Sequence, residues 1–166
     1  KLENIIGIFK AYATRVGSGP FPTELNDSNG KKLQDIGSEF GATTGRPRRC
    51  GWFDGIAAKY SCMINGLTDI ALTKLDILDS FEEIYICVGY EYKGQELNNY
   101  SELLDLDNVK PIYKKFKGWN TNLNGIKDFN MLPFECKEYI KFIESFVGTK
   151  ISIISIGPGR NEIIQK

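Results

Sequence analysis

Apolar residues alternate with polar ones, or form short continuous runs, in several stretches that predict β-strands. The first is IIGIFKAYATRV, residues 5–16, which begins so close to the first residue that we expect the chain to be part of a longer protein. EEIYICVGYEY, residues 82–92, predicts a strand that turns at Lys93-Gly94 into a second one. Further strands are predicted within residues 69–78, 109–116 and 150–157.

A helix is predicted directly after Asp54, which is placed to cap its first turn. The helix is expected to run to about Asn65, because Ile56, Tyr60 and Ile64 recur at helical spacing. That spacing predicts that these three side chains share one face.

Two further signals predict helices. Residues 133–148, PFECKEYIKFIESFVG, begin with proline and end with glycine, the usual order at the two ends of a helix. Shorter helical segments are predicted at residues 31–37, after a turn at 26–32, and at 158–165. Because strands and helices are mixed along the chain, we predict an α/β fold, with a mixed, mainly parallel sheet and flanking helices.

Composition and charge narrow the possible partners. The chain has 166 residues, of which 42% are apolar and 25% are charged, as in one ordinary globular domain. Its formal net charge is zero, so we expect neither nucleic acid nor a membrane as a partner, and any basic site must be local. The sequence has no apolar run as long as a membrane span and no signal peptide.

Missing and scattered residue types exclude several kinds of chemistry. The chain has no histidine, so it holds no histidine general base and no histidine metal ligand. Neither G-x-x-x-x-G-K-[ST] nor G-x-G-x-x-G occurs. No C-x-x-C pair is present, which argues against a zinc ribbon or a thioredoxin-type site. We expect reduced, mostly buried thiols of a cytoplasmic protein, with disulfides as the alternative, at Cys50, Cys62, Cys87 and Cys136.

The segment LTKLD follows a predicted strand, where ligands collect in α/β sheets. An ionised Asp76 offers only acceptors, so it suits the two adjacent donors of guanine, while the stem of Lys74 lies over the ring. Adenine would leave the carboxylate unpaired, at a cost of about 1–3 kcal/mol. The alternative is an exposed lysine and a helix-capping aspartate.

The segment SIGPGR, residues 155–160, follows the last long predicted strand. A strand, a glycine-rich turn and the start of a helix would let a ring or a phosphate meet backbone N–H groups. An ordinary turn is the alternative.

The segment GATTGRPRRCGW, residues 41–52, contains nothing that we expect to build a core. Pro47 favours an extended backbone before it, so Arg46 and Arg48 are expected to point to one side and Arg49 elsewhere. Two convergent guanidinium groups match a carboxylate or a phosphate. The loop adds two hydroxyls and two glycines that permit close backbone approach, at Thr43, Thr44, Gly41 and Gly45. Surface ion pairs with nearby acids are the alternative.

Several segments, taken in order, resemble the C-terminal part of adenylosuccinate synthetases over essentially the whole chain. They are KAYATRVGSGPFPTEL, GSEFGATTGRPRRCGWFD, LTKLDILD, KGW and ISIISIGPGR. The most specific match is GATTGRPRRCGW with TKLD downstream. The resemblance implies a P-loop-NTPase-like synthetase fold, of which residues 1–166 would be the C-terminal portion.

The resemblance also implies an activity. The family ligates IMP and L-aspartate to adenylosuccinate, using GTP and passing through 6-phosphoryl-IMP, in the first step from IMP to AMP in purine biosynthesis. Mg²⁺, a cytoplasmic location and a homodimer when full length are implied as well.

The site residues follow from the matching motifs. Within residues 41–49, aspartate would be bound by Ala42, Thr43, Thr44, Gly45, Arg46, Pro47 and Arg48. IMP would contact Val16, Gly17 and Arg46. GTP would contact Arg48 through its phosphates. In segments 73–76 and 155–158, its base would contact Lys74, Leu75, Asp76, Ser155, Ile156, Gly157 and Pro158.

The sequence departs from the family pattern in what it lacks. The catalytic residues and the magnesium ligands of the family are expected upstream, so we expect this chain alone to be inactive. Ile156 and Gly159 differ from the commoner residues of the family, which would loosen the guanine pocket while keeping its backbone contacts. Two other functions stay open: a non-catalytic GTP-binding regulatory module, and a basic loop that binds a phosphoprotein.

Overall fold

Strands and helices are mixed along residues 3–100 and 105–166, which the computed structural model describes. The strands are β1 (Ile6–Lys10), β2 (Ala13–Arg15), β3 (Arg49–Gly51), β4 (Phe53–Asp54), β5 (Asp69–Thr73), β6 (Glu83–Tyr92), β7 (Gln95–Leu97), β8 (Lys110–Lys117), β9 (Lys150–Ser155) and β10 (Ile163–Gln165). The α-helices are α1 (Ser28–Ile36), α2 (Gly55–Asn65) and α3 (Phe134–Val147).

The sheets are mixed, with helices packed against them, so the predicted α/β class is confirmed. The first sheet has the order β1-β5-β9-β10, with β1, β5 and β9 parallel and β10 antiparallel to β9. In the second sheet β6 pairs in parallel with β4 and antiparallel with β7 and β8. Strands β2 and β3 form a separate antiparallel pair.

Helix α3 joins the two larger sheets, because its apolar face packs against β8, β9 and α2. Its buried residues recur at helical spacing, at Cys136, Tyr139, Ile140, Ile143 and Val147. Each fully buried aliphatic side chain contributes about 1.5–3 kcal/mol through the apolar area it removes from water. The helix ends at Gly148, whose left-handed backbone (φ 74°) suits glycine.

Helix α2 begins as predicted, because the Asp54 carboxylate accepts a hydrogen bond from the Ala57 backbone N–H at 3.0 Å. The predicted face forms, since Ile56, Tyr60 and Ile64 all lie within the helix, but only part of it is buried. Ile56 is buried, but Ile64 is 59% exposed, and Cys62 lies in the core instead. The helix therefore packs along a neighbouring face.

The strand predicted at residues 5–16 is broken into β1 and β2, which belong to different sheets. The break lies at Ala11 and Tyr12, both of which are buried. The hydroxyl of Tyr139 donates to the Ala11 carbonyl at 2.7 Å. This side chain takes the place of a strand partner, so the sheet pairing ends there.

The turn predicted at residues 26–32 is also wrong, because Asp27 caps α1 and the residues after it form the first helical turn. Gly30 is inside the helix. A Cβ there would lie 2.1 Å from the Leu25 carbonyl oxygen, so glycine permits close packing here and does not mark a turn.

The helix predicted at residues 158–165 does not form. The chain turns after Pro158 and returns as β10, antiparallel to β9, with Ile164 opposite Ile154. Ile163 and Ile164 are β-branched and suit a strand that is buried on one side. The remaining predicted strands and the helix at 133–148 are present.

All four cysteines are free and buried, in agreement with the expected reduced thiols. Cys50 and Trp52 lie in the main core, so the expectation that residues 41–52 build no core is wrong for the end of that segment, where β3 leads back into the fold. No helix among the described residues is long and apolar enough to cross a membrane.

Candidate functional site

The candidate site lies at one edge of the first sheet. Parallel pairing places Lys10, the last residue of β1, opposite Thr73, the last residue of β5. Strand β9 is also parallel to β5, with Leu72 opposite Ile154. The carboxyl ends of all three strands therefore meet at this edge, which is where α/β sheets bind ligands. The two predicted guanine-binding segments follow β5 and β9 and lie side by side.

The first of these segments makes a sharp bend at Lys74, whose backbone is left-handed (φ 59°). The bend leads into a short 3-10 helix, Leu75–Leu78, in which Leu75 is fully buried and anchors the segment. Asp76 is half-buried, and burial raises the pKa of its carboxyl. The 3-10 helix has no side-chain cap, and Lys74 is engaged in an ion pair. The alternative of an exposed lysine and a capping aspartate is therefore not what the structure contains.

The second segment is a turn closed by Glu162. The Ile156 N–H donates to the Glu162 carbonyl at 3.0 Å, and the Glu162 N–H donates to the Gly159 carbonyl at 3.0 Å. The Glu162 carboxylate accepts the Gly159 N–H. A Cβ on Gly157 would lie 2.5 Å from the Glu162 carboxyl carbon. The expected helix start is absent, so no helix N-terminus is available to a ligand here.

The charges of the two segments also interact, through Asp76 and Glu162. Besides burial, the charge of Glu162 contributes to the raised pKa of Asp76, whereas Lys74 lowers it. The Ser155 hydroxyl donates to the Gly157 carbonyl at 2.9 Å and stays at the end of β9.

The predicted aspartate loop is a closed, outward-pointing loop. At its base the Gly41 N–H donates to the Arg46 carbonyl at 2.8 Å, and the Gly45 N–H donates to the Gly41 carbonyl at 2.8 Å. Gly45 has a left-handed backbone (φ 63°), which explains the need for glycine. The exposed residues of the loop are Ala42, Thr43, Thr44, Gly45, Arg46 and Pro47.

Glu39 connects this loop to the first guanine-binding segment. Its carboxylate is fully buried. One oxygen accepts from Lys10 at 2.9 Å, Tyr12 at 2.6 Å and Lys74 at 2.8 Å. The other accepts from Arg48 at 2.7 Å and from Lys10 at 3.1 Å. Burial raises the pKa of Glu39, but these hydrogen bonds outweigh it and hold the pKa at about 2. Glu39 is therefore ionised at neutral pH.

The residues predicted to contact IMP lie beside the same loop. Antiparallel pairing of β2 with β3 places Arg15 opposite Arg49. Val16 follows Arg15 and Arg48 precedes Arg49, so both leave the strand pair at the same end. Val16 is 75% exposed, and Gly17 has a left-handed backbone (φ 79°).

Arg49 fixes this segment and points away from the aspartate loop, as the sequence predicts. Its Nη1 donates to the carbonyls of Gly17 and Gly19 at 3.2 and 2.8 Å, and it forms an ion pair with Glu24. The alternative, that the arginines form ion pairs with nearby acids, therefore applies to Arg49, which pairs with Glu24, and in part to Arg48, of which one nitrogen pairs with Glu39. Arg46 makes no side-chain ion pair among the described residues.

Sequence reasoning missed the residues that hold the loops in place: Lys10, Tyr12, Glu24, Glu39 and Glu162. A signal existed for Glu39, since a carboxylate within an apolar and glycine-rich stretch must be paired if it is buried. The partners themselves come from distant parts of the chain and could not be identified by spacing.

The described residues do not fit a magnesium site. Among residues 3–100 and 105–166, no three histidine, cysteine, aspartate or glutamate side chains lie together in a way that could hold a metal ion. The location of magnesium ligands outside the chain stays a prediction.

Comparison with known proteins identifies a family. The adenylosuccinate synthetase family model matches residues 1–164. The chain is 52% identical over 164 residues to the adenylosuccinate synthetase of Geotalea uraniireducens, covering 98% of this chain and 38% of that protein. It is 50% identical over 167 residues to the Candida glabrata adenylosuccinate synthetase, covering 100% of this chain and 39% of that protein.

A solved structure gives the same result. The chain is similar to a fully ligated adenylosuccinate synthetase from Plasmodium falciparum, with a TM-score of 0.93 and 40% identity, over 99% of this chain and 40% of that one. The chain thus spans roughly two fifths of the length of the relatives that it matches.

Proposed function

The chain belongs to the adenylosuccinate synthetase family, and on that premise we propose that it supplies the aspartate- and guanine-binding loops for GTP-dependent ligation of IMP and L-aspartate to adenylosuccinate. In the proposed reaction GTP phosphorylates the 6-oxygen of IMP, and the aspartate amine then displaces that phosphate. Catalytic residues and magnesium ligands would come from outside these 166 residues. The proposed setting is the cytoplasm, with a homodimer as the full-length assembly.

The observation that carries this proposal is the meeting of three predicted loops around one edge of the sheet. The guanine-binding segments follow the parallel strands β5 and β9. The aspartate loop is connected to the first of them through Glu39, which binds both Arg48 and Lys74.

Each loop has a defined task in the proposal. Asp76 accepts from the two donors of guanine, and the turn at residues 155–158 lies on the other side of the base. The guanidinium of Arg46 is exposed and not engaged by a described carboxylate, so it is available to a substrate carboxylate. Arg48 uses one nitrogen for Glu39, and its remaining donors are directed to aspartate and to the GTP phosphates.

The test is an assay of the complete gene product that contains these residues, with IMP, L-aspartate and GTP. We expect adenylosuccinate, GDP and phosphate to form. Arg46→Leu is expected to raise the KM for aspartate by about a factor of 10 or more, since it removes a charge-assisted hydrogen bond of about 1.5–3 kcal/mol. Arg160→Leu, which removes another exposed arginine outside the aspartate loop, is the matched control and should leave the aspartate KM unchanged.

Two results would replace the proposal. GTP binding without product would favour a non-catalytic GTP-binding module. Absence of both product and GTP binding, with retention of phosphopeptides that depends on Arg46, would favour a loop that binds a phosphoprotein. Light scattering of the same sample measures whether the protein is a dimer.

A further inference from the structure

We propose that Glu39 is a positioning residue that couples the aspartate loop to the guanine-binding segment; this inference rests on the proposed function. Its carboxylate is the meeting point of one residue from each: Arg48 binds one oxygen and Lys74 binds the other. The sequence separations are 9 and 35 residues, so only the folded chain brings the three groups together.

Because Glu39 is buried, its carboxylate must keep its hydrogen-bond partners. The Glu39 side chain is fully inaccessible to solvent, whereas the side chains of Lys10, Arg48 and Lys74 are 28%, 32% and 34% exposed. A buried carboxylate must be paired, because water cannot replace a lost donor. Each of these three side chains keeps part of its surface exposed, so Glu39 does not seal them off from the edge of the sheet.

Backbone contacts attach the carboxylate firmly to both loops. The Arg48 N–H donates to the Glu39 carbonyl at 2.8 Å, and Gln34 of α1 donates to the Arg48 carbonyl at 2.8 Å. Lys74 also donates to the Gly37 carbonyl at 2.7 Å. Arg48 and Lys74 are therefore connected through one short series of hydrogen bonds centred on Glu39.

Charge gives the cluster a second property. One carboxylate pairs with three cations, Lys10, Arg48 and Lys74, so the ion-paired cluster itself carries a positive charge, part of which is offset by Asp76 beside Lys74. Such a surplus attracts anionic groups to the edge of the sheet. Glu39 thus orients the cations without neutralising the field that would attract phosphates and carboxylates.

The test is the variant Glu39→Gln in the complete gene product, with KM measured separately for aspartate, GTP and IMP. The amide keeps the shape of the side chain but offers donors to cations that need acceptors. We expect the KM for aspartate and the KM for GTP to rise together, each by about fivefold or more, as in an energetic coupling of ordinary size. The KM for IMP should rise less than either, because of the residues predicted to contact IMP only Arg46 belongs to the aspartate loop.

Glu24→Gln is the matched control, because Glu24 is a carboxylate that holds a different arginine. It pairs with Arg49, which binds the backbone of Gly17 and Gly19. This variant should raise the KM for IMP and leave those for aspartate and GTP near their original values. The two variants would thus raise the KM values of different substrates. A general loss of folded protein cannot produce this difference, because it lowers the apparent kcat and leaves KM unchanged.

Lys10→Met provides a second variant if Glu39→Gln does not fold. Lys10 donates to both oxygens of Glu39 and also to Thr14. Its loss should therefore raise the KM for aspartate and the KM for GTP together, but by less than Glu39→Gln does. A folded Glu39→Gln or Lys10→Met protein with all three KM values unchanged overturns the inference, even if the wild type makes adenylosuccinate. An inactive wild type overturns the proposed function and this inference with it.

Discussion

Arg49 forms a bidentate salt bridge with Glu24: its Nε lies 2.7 Å from one carboxylate oxygen, and its Nη2 lies 2.6 Å from the other. The third nitrogen of the same guanidinium holds the turn that follows β2. Only the planar fork of arginine can serve these two purposes at once. The hydrogen bonds from Arg49 outweigh burial and lower the pKa of Glu24, so the pair is charged at neutral pH.

Arg49→Lys should therefore weaken the predicted IMP contact although it keeps the charge. Lysine cannot bind the carboxylate at two points and also reach two carbonyls. We expect the KM for IMP to rise about tenfold, equivalent to about 1.4 kcal/mol, while the KM for GTP changes little. Steady-state kinetics with IMP as the varied substrate measures this, with Arg160→Lys as the control. An unchanged IMP KM would show that the turn at Gly17 does not contact IMP.

Asp76→Asn should change the choice of nucleotide. An amide replaces one acceptor oxygen with a donor, which suits the 2-oxygen of xanthine and opposes the 2-amino group of guanine. We expect the ratio of kcat/KM for XTP to that for GTP to rise about 5- to 150-fold, from a mismatch of about 1–3 kcal/mol.

Asp35→Asn is the matched control for this exchange. Asp35 lies on α1 in an exposed ion pair with Lys31, so its replacement should leave the ratio unchanged. A ratio that is also unchanged in Asp76→Asn would remove Asp76 from the guanine pocket.

The sequence was sufficient for elements whose signals are local. The caps of α2 and α3 and the turn at Lys93-Gly94 are encoded within a few residues, and each element is present. The break between β1 and β2 was missed because its cause, the Tyr139 hydroxyl, lies 128 residues away. The helix expected at 158–165 failed because its few apolar residues could not distinguish a helical period from a strand.

The same division applies to the candidate site. The loops that contain Asp76, Arg46 and Arg48 were found because chemically distinctive residues are adjacent in sequence. Glu39 was not found, because its role depends on Lys10 and Lys74, which lie 29 and 35 residues away. Sequence thus identified the residues that would face a ligand, while the structure was needed for those that hold them.

Acid should destabilise the protein partly through Glu39. Its pKa falls from 4.5 to about 2 on folding, so the folded state binds fewer protons than the unfolded state between these values. The resulting stability is present above pH 4.5 and is lost as the pH falls to about 2. It is on the order of 3 kcal/mol.

Urea unfolding from pH 6 to pH 2.5 measures this contribution by comparing the wild type with Glu39→Gln. The variant should be less stable at pH 6 and should lose less stability on acidification. Asp35→Asn, which removes an exposed pair, should follow the wild type closely, because such pairs contribute about 0–1 kcal/mol. Parallel curves for wild type and Glu39→Gln would contradict the low pKa.

Two glycine-to-alanine exchanges should differ in size because their causes differ. A Cβ at Gly118 would lie 1.7 Å from the Phe81 carbonyl oxygen, and the Gly118 N–H donates to the Glu82 carbonyl at 2.7 Å. The backbone must move apart to admit the methyl group, at a cost of about 3 kcal/mol or more. At Gly148 a Cβ would have open space, and only the left-handed backbone (φ 74°) is strained, at about 1–2 kcal/mol.

Thermal and urea unfolding of both variants tests this order. Gly118→Ala should be the less stable protein by about 1 kcal/mol or more, and its effect should reach the adjoining Trp119. The Trp119 indole donates to Asp79 at 2.7 Å, so its fluorescence in the folded protein should change in Gly118→Ala and remain as in the wild type in Gly148→Ala. Equal destabilisation of the two variants with unchanged fluorescence would contradict this prediction. It would mean that the backbone around Phe81 moves at little cost in free energy and that Gly118 is not required for close packing.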